Sequence, residues 1–168
     1  TLTARYVAAV KGTKARVVDT RKTTPGLRIL DKYAVRVGGG VNHRTGLYDG
    51  VLIKENHITA AGGIGVAISR ARAWISHTMK IEVETETLAE VAEALAAGAD
   101  IIMLDNMDTA TMREAVAVIA GKALVEASGG VNLETVREIA ATGVDIISVG
   151  SLTHSARAMD ISMLLEVS

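Results

Sequence analysis

Short apolar segments alternate with helix-forming segments along most of this chain, and this alternation constrains the fold more than any other feature. Six segments have the composition of buried strands, namely 15–20, 50–54, 80–84, 100–105, 123–128 and 145–150. The last four are separated by helical segments that begin near Thr87, Thr109 and Asn132 and end at Gly98, Gly121 and Gly143. Apolar strands joined by helices indicate right-handed βαβ units and therefore a parallel sheet of the α/β class.

Two arrangements of such a sheet remain open, a doubly wound sheet and a parallel β/α barrel. The barrel is favoured because polar residues follow nearly every strand segment, and a barrel builds its active site from those strand ends. These residues are Arg21, Lys22, Lys54, Glu84, Asp105, Ser128, Gly150 and Ser151. A barrel normally has eight strands and six are counted here, so the sequence predicts an incomplete (open) barrel. No linker divides the 168 residues, which we expect to form one domain over 1–168.

Composition excludes several classes of protein. The chain has no cysteine, which excludes disulfides, thiolate metal sites and a cysteine nucleophile and fits a cytoplasmic protein. No apolar stretch approaches the roughly 18 residues of a membrane span, so no membrane partner is expected. The first residue is Thr rather than Met, and we expect the native start to be missing.

The net charge of -1 conceals a strong asymmetry. Residues 1–54 carry eleven Lys and Arg against three Asp and Glu, whereas residues 55–168 carry seven against sixteen. A basic half is compatible with nucleic-acid binding, but aromatic residues make up only 2% of the chain and no DNA-binding motif is present. No nucleic-acid partner is therefore expected, and the charges suit a small polyanion handled together with a metal ion.

Basic residues cluster in three segments of the first third of the chain. Arg21 and Lys22 follow the first strand segment. Arg21 can bind an anion through two N–H groups of its planar guanidinium, and Lys22 through its compact ammonium group. His43 and Arg44 follow three glycines, which permit unusual backbone conformations and close approach to a ligand. Lys54 directly follows an apolar strand segment. The alternative for each segment is a solvated turn or strand terminus.

Acidic residues of two successive strands predict a metal site. Glu82, Glu84 and Glu86 share one face of a strand, and we expect only Glu84 to face the site. Asp105 ends the following strand, so its carboxylate should lie beside that of Glu84. Open sites with oxygen ligands suit Mg²⁺, which binds through carboxylates and substrate phosphates. The alternative is a helix-capping role for Asp105 or Asn106.

Small residues end the last two strands. Ser128, Gly129 and Gly130 follow one of them, and Gly150 and Ser151 follow the other. The loops after the final two strands of a β/α barrel are a frequent phosphate-binding site, because small residues let backbone N–H groups reach the phosphate oxygens. A phosphorylated sugar is therefore the expected type of substrate.

Seven segments together resemble one enzyme family. In chain order they are DTRKTTPGLR, YAVRVGGGVNHR, LIKENH, IEVET, LDN, EASGG and VGSLTHS, and they are similar to those of quinolinate phosphoribosyltransferase, the carboxylating nicotinate-nucleotide pyrophosphorylase. The resemblance covers essentially the whole chain. It implies an open barrel of the type II phosphoribosyltransferase kind, and transfer of phosphoribose from phosphoribosyl pyrophosphate to quinolinate in NAD biosynthesis. The implied products are nicotinate mononucleotide, pyrophosphate and CO₂, and the implied cofactor is Mg²⁺.

The resemblance also implies roles for residues at matching positions. Arg21, His43, Arg44 and Lys54 would bind the carboxylates of quinolinate, and Lys22 would face the pyrophosphate. Glu84 and Asp105 would contact the ribose hydroxyls and Mg²⁺, and together with Lys22 and Lys54 they are the expected catalytic residues. The 5′-phosphate would be surrounded by Ser128, Gly129, Gly130, Gly150 and Ser151.

The chain departs from the family in one respect. Members carry an N-terminal α+β domain ahead of the barrel, which supplies basic residues to a partner subunit's site, and we expect that domain to be absent here. A homodimer or higher even oligomer is the implied assembly. Two alternatives remain, a related phosphoribosyltransferase with another acceptor (the type associated with molybdenum transport) and a non-catalytic module that binds phosphosugars.

Overall fold

All six strand segments form strands of one parallel sheet in the computed structural model, which describes residues 1–166. The strands are β1 (Arg16–Val18), β2 (Val51–Ile53), β3 (Ile81–Thr85), β4 (Ile101–Asp105), β5 (Leu124–Ser128) and β6 (Ile146–Ser148). The helices are α1 (Leu2–Ala9), α2 (Arg28–Val37), α3 (Glu55–Ala61), α4 (Ile64–Trp74), α5 (Leu88–Ala96), α6 (Thr109–Ile119), α7 (Val136–Ala140) and α8 (Ser151–His154).

The order of the strands is that of a barrel opened at one seam. It runs β1-β6-β5-β4-β3-β2, and every neighbouring pair is parallel. β2 to β6 follow one another as they do in the sequence, and β1 lies beside β6, whereas β1 and β2 do not pair with each other in residues 1–166. A doubly wound sheet instead reverses its order at a switch point. The expected open parallel β/α barrel is therefore confirmed.

The two faces of the strands have different chemistry. Side chains that point outward, such as those of Ile81, Val83 and Leu104, are fully buried in the apolar core between the sheet and the helices. The alternate positions point inward, and many of them are polar. They are Glu82, Glu84, Asp105, Glu126, Ser128 and Ser148. The period-two alternation of the strands therefore separates the core from a polar interior.

Hydrogen bonds with capping residues define where the helices after β3 and β4 begin. The Thr87 hydroxyl accepts a hydrogen bond from the Glu90 N–H at 3.2 Å, and the Glu90 carboxylate accepts one from the Thr87 N–H at 3.0 Å, which is the predicted capping box of α5. α6 begins at Thr109 as predicted, with Asp108 as its cap. Asn132 caps a turn ahead of α7 rather than the helix itself, because α7 begins at Val136.

Apolar surface remains exposed on α2, where Ile29, Leu30, Tyr33 and Val37 each have more than half of their area accessible. Residues 156–166 after α8 have no regular secondary structure and are exposed. Among the described residues, no helix combines the length and hydropathy needed to cross a membrane.

Candidate active site

A cleft of about 730 Å³ lies at the carboxyl ends of the strands. Every candidate site residue from the sequence lines it, although the twelve residues are spread over 131 positions of the chain. They are Arg21, Lys22, His43, Arg44, Lys54, Glu84, Asp105, Ser128, Gly129, Gly130, Gly150 and Ser151. The parallel barrel explains this convergence, since each of these residues lies at or beyond the carboxyl end of a strand or in the loop at the open seam.

The Arg21–Lys22 loop is fixed by hydrogen bonds to its main chain. The Arg28 guanidinium donates to the Arg21 carbonyl at 3.0 Å and to the Thr45 carbonyl at 3.2 Å, so one side chain joins two basic loops. The Thr153 hydroxyl donates to the Lys22 carbonyl at 2.6 Å. These contacts occupy main-chain atoms and leave the Arg21 and Lys22 side chains directed at the cleft.

A buried ion pair beside the cleft fixes the His43 segment. Asp19 is fully buried at the end of β1, and its carboxylate accepts hydrogen bonds from Lys32 Nζ at 2.5 Å and from the His43 N–H at 2.8 Å. Lys32 also donates to the His43 carbonyl at 3.0 Å, and the Asn42 amide donates to the second Asp19 oxygen at 2.5 Å. Lys32 and Asp19 neutralise each other's charge. Their hydrogen bonds to the main chain of His43 hold that residue beside β1.

The glycine segment ahead of His43 has a different role from the expected one. Gly38, Gly39 and Gly40 do not line the cleft. A Cβ at Gly40 would lie 2.9 Å from side-chain atoms of both Thr3 and Val35, so this glycine allows α1 and α2 to pack closely. The prediction that these glycines approach a ligand was wrong, and only His43 and Arg44 of this segment line the cleft.

His43 reaches two carboxylates in the interior of the barrel. Its Nε2 lies 3.1 Å from Glu82 Oε2 and 3.5 Å from Glu126 Oε2. Burial lowers the pKa of His43, whereas the hydrogen bonds and charges of Glu126 and Glu82 raise it. Burial also raises the pKa of Glu82. Of Glu82, Glu84 and Glu86, only Glu84 lines the cleft, whereas Glu82 lies deeper on the same inward face and contacts a histidine distant in sequence.

Two arginines that line the cleft have buried side-chain nitrogens without a partner among the described residues. The Nε atoms of Arg21 and Arg44 are buried and have no hydrogen-bond partner within residues 1–166. Burial lowers the pKa of Arg44, and the positive charge of Arg21 lowers it further. Arg44 also donates to the Gly50 carbonyl at 3.1 Å. Two guanidinium groups that line the same cleft are suited to bind an anion there.

Lys54 and Glu84 form an ion pair across neighbouring strand ends. Lys54 is half exposed and Glu84 is largely buried. The residues after Lys54 have the structural role expected of them, since they begin α3 and the His57 imidazole accepts a hydrogen bond from the Lys54 N–H at 3.0 Å.

Asp105 lies at the end of the neighbouring strand. Its carboxylate accepts a hydrogen bond from the Asn106 amide at 2.9 Å, and it stands in register with Ser128. The caps of α6 come from Asp108 instead, so the alternative of a capping role for Asp105 is not supported. Glu84 and Asp105 therefore offer carboxylate oxygens to one end of the cleft, and this donor type fits Mg²⁺.

Ser128–Gly130 and Gly150–Ser151 line the cleft next to Asp105, at the ends of β5 and β6. Gly129 has a φ of +90°, and a Cβ there would lie 2.1 Å from Asn106 Oδ1 and 2.9 Å from the Asn106 nitrogen. Asn106 itself has a φ of +53° and donates its N–H to the Ser128 carbonyl at 3.0 Å. Only glycine fits at position 129, where the two loops approach closely. A Cβ at Gly130 would have no described atom from elsewhere in the chain within 4 Å, so there is open space beside that residue.

Residues that sequence reasoning missed also line the cleft. They are Thr20, Leu52, Met103, Asn106, Glu126, Val131, Ser148 and His154. The period of two along β5 could have identified Glu126, because it precedes Ser128 by two positions. Nothing in the sequence pairs Glu126 with His43. A second cavity of about 340 Å³ lies deeper in the barrel and shares His43, Arg44 and Glu126 with the cleft.

Comparison with known proteins points to one family. Residues 1–164 match the model of the "Quinolinate phosphoribosyl transferase, C-terminal domain" family. The chain is 50% identical over 163 residues to a probable nicotinate-nucleotide pyrophosphorylase [carboxylating] of Bacillus subtilis, a match that covers 97% of this chain and 56% of the relative.

Solved structures agree with this match. The structure of NadC from Streptococcus pyogenes has a TM-score of 0.92 at 48% identity, over 97% of this chain and 57% of that one. The nicotinate-nucleotide pyrophosphorylase of Francisella tularensis has a TM-score of 0.92 at 46% identity, over 96% and 57%. The chain thus spans little more than half the length of the relatives that it matches.

Proposed function

The chain belongs to the quinolinate phosphoribosyltransferase family through the C-terminal domain of that family, and from this membership we propose its reaction. The protein that carries the chain transfers phosphoribose from phosphoribosyl pyrophosphate to quinolinate in NAD biosynthesis. Decarboxylation follows, and the products are nicotinate mononucleotide, pyrophosphate and CO₂. The observation that carries the proposal is one cleft of about 730 Å³ that is lined both by the arginines Arg21 and Arg44 and by the carboxylates Glu84 and Asp105.

The acceptor binds on the cationic side of the cleft. Arg21 and Arg44, which line the cleft, bind the carboxylates of quinolinate through their guanidinium groups. His43 and Lys54 complete this side, and Lys22 faces the pyrophosphate group. A second carboxylate on the acceptor offsets the repulsion between the two guanidinium groups, so quinolinate should bind far better than a monocarboxylate.

The phosphoribosyl donor binds across the cleft. The 5′-phosphate lies against Ser128–Gly130 and Gly150–Ser151, where the glycines leave room for backbone N–H contacts. Glu84 and Asp105 would hold the ribose hydroxyls and Mg²⁺, and the metal would supply positive charge to the pyrophosphate group. The ion pair of Lys54 with Glu84 links the acceptor side to the ribose side.

The reaction itself needs positioning and electrostatic stabilisation from these residues. Loss of pyrophosphate develops positive charge on the ribose ring, and the carboxylates of Glu84 and Asp105 stabilise that charge while the nitrogen of quinolinate attacks. Once the ring nitrogen is cationic, the bond to the neighbouring carboxylate breaks, CO₂ leaves, and the electron pair left on the ring carbon takes up a proton from water. No residue of the cleft is assigned a covalent role.

The assembly and location are part of the same proposal. We infer a homodimer or higher even oligomer, supported by the exposed apolar residues of α2 and by the edge of β2 that pairs with no strand in residues 1–166. A cytoplasmic location is supported by the absence of cysteine from the sequence.

A turnover assay tests the proposed function. The protein that carries this chain is incubated with Mg²⁺, phosphoribosyl pyrophosphate and quinolinate labelled in its 2-carboxylate, and both labelled CO₂ and nicotinate mononucleotide are measured. Equal release of the two products is expected, with little product from nicotinate. Arg44→Lys should lose most activity, whereas Arg70→Lys, an exposed arginine far from the cleft, should not. Turnover of a different acceptor with none of quinolinate, or binding without turnover, would refute the proposal.

A further inference from the structure

Two buried glutamates lie beneath the acceptor side of the cleft, and the reaction as described so far gives them no task. Glu82 is 3% exposed and Glu126 is 1% exposed. Each has its Oε2 near the His43 Nε2, at 3.1 and 3.5 Å, while the Oε1 of each has no hydrogen-bond partner in residues 1–166. His43, which lines the cleft, is therefore the residue through which the two buried carboxylates can influence the cleft.

Stability does not explain this arrangement. Removal of two neighbouring carboxylates from water costs free energy, and well-packed apolar residues at such positions are often as stable or more so. Some inward positions next to the two glutamates are apolar, as at Ile101, Met103 and Leu124. Two costly buried carboxylates beside such neighbours point to a role in the site above them.

The hydrogen bonding of His43 indicates a positioning role rather than a metal centre. The three side chains could supply three ligand atoms to a cation, since these atoms lie within 4.8 Å of one another. However, the Arg44 N–H donates to His43 Nδ1 at 2.7 Å, so Nδ1 is an acceptor and the ring proton lies on Nε2, directed at the glutamates. A histidine that binds a metal through Nε2 normally donates from its other nitrogen.

We propose that Glu82 and Glu126 are positioning residues for the acceptor site, an inference that rests on the proposed function. They accept the Nε2–H of His43 and fix the orientation of the ring. The ring in turn accepts the main-chain N–H of Arg44 and so fixes the peptide from which the Arg44 side chain projects. The two carboxylates also supply negative charge beneath Arg44, which offsets the repulsion from Arg21.

A double variant tests this role. Glu82→Gln combined with Glu126→Gln retains the shape of both side chains and removes the charged acceptors. Loss of a charge-assisted hydrogen bond predicts a rise of about tenfold or more in the KM for quinolinate. The KM for phosphoribosyl pyrophosphate should change by less than about twofold on the same grounds, since its proposed contacts do not involve His43. Glu114→Gln with Glu134→Gln changes the net charge equally at exposed positions and should leave both constants unchanged.

The same substitutions in a His43→Ala background show whether the glutamates act through His43. The proposal requires that they have little further effect there, because the contact is already lost. Equal increases in both KM values, or an undiminished effect without His43, would overturn the proposal. If the double variant does not fold, Glu126→Gln alone is measured in both backgrounds with the same criteria.

Failure of the proposed function gives a different result. Wild-type protein would then not turn over quinolinate at all. In that case the ¹⁵N resonance of His43 Nε2, compared between wild type and the double variant, reports directly on the hydrogen bond. An unchanged resonance would overturn the positioning role without reference to any substrate.

Discussion

Replacement of Lys32 by methionine removes the cation from the buried pair that fixes the His43 segment. Lys32 is 5% exposed and donates to Asp19 at 2.5 Å and to the His43 carbonyl at 3.0 Å. Methionine approximates the length of the lysine side chain but cannot donate. The Asp19 carboxylate is fully buried and would keep only the Asn42 amide and the His43 N–H as described donors.

The expected loss of stability follows from this geometry. Removal of one partner of a buried ion pair typically costs about 3–5 kcal/mol, because the remaining charge stays uncompensated. The two donors that remain on Asp19 place the expected cost at the lower end, about 3 kcal/mol. For a chain of this size, a loss of 1 kcal/mol lowers the Tm by about 2–4 °C, so a decrease of roughly 6–12 °C is expected.

Urea unfolding followed by circular dichroism measures this loss. Lys122→Met, at an exposed lysine, serves as the control and should change the free energy of unfolding by less than about 0.5 kcal/mol. In an Asp19→Asn background, Lys32→Met should cost much less, because no buried charge remains to be compensated. A Lys32→Met variant as stable as the control, or an equal cost in both backgrounds, would refute the reasoning.

Three further predictions concern the cleft and its surroundings. Glu84→Gln and Asp105→Asn should each abolish most turnover at unchanged Tm, and a variant that unfolds but keeps its activity per folded molecule would show a structural role instead. Gly129→Val should raise the KM for phosphoribosyl pyrophosphate, because a Cβ there meets Asn106 at a φ of +90°; an unchanged KM would place the phosphate elsewhere. Partial burial raises the pKa of Asp100, but hydrogen bonds from the Ile81 N–H and Arg72, with the charges of Arg72 and Lys80, outweigh burial and lower the pKa. Its stabilising contribution is therefore present above the unfolded pKa and lost as the pH falls through the folded pKa, so Asp100→Asn should reduce the acid-induced loss of stability measured by urea unfolding below pH 4.

The strands and the membership of the cleft could be predicted from the sequence, because both depend on local patterns. Apolar segments that end in polar residues identify strands, and a parallel barrel brings strand ends together whatever lies between them. Glu84, Asp105 and Ser128 were found in this way, and all three line the cleft. The glycines that end the helix segments, such as Gly98 with a φ of +80°, likewise follow from local backbone requirements.

Contacts between distant segments could not be predicted in the same way. Glu82 was expected to point away from the site because its burial without a cation would be prohibitive, and the sequence does not show that His43 reaches it. The glycines at 38–40 have a composition typical of ligand-binding loops, but the neighbours that require them, Thr3 and Val35, are known only from the packing of α1 and α2. Buried polar networks depend on three-dimensional neighbours and therefore remain invisible to a pattern of single residues.

A crystal structure of the protein that carries this chain, with quinolinate bound, is the most direct test of the central claim. One carboxylate of quinolinate should lie within hydrogen-bond distance of the guanidinium groups of both Arg21 and Arg44, and the ring nitrogen should face the side of the cleft that contains Glu84 and Asp105. Quinolinate bound in the deeper cavity of about 340 Å³, or on a surface away from both arginines, would contradict the account.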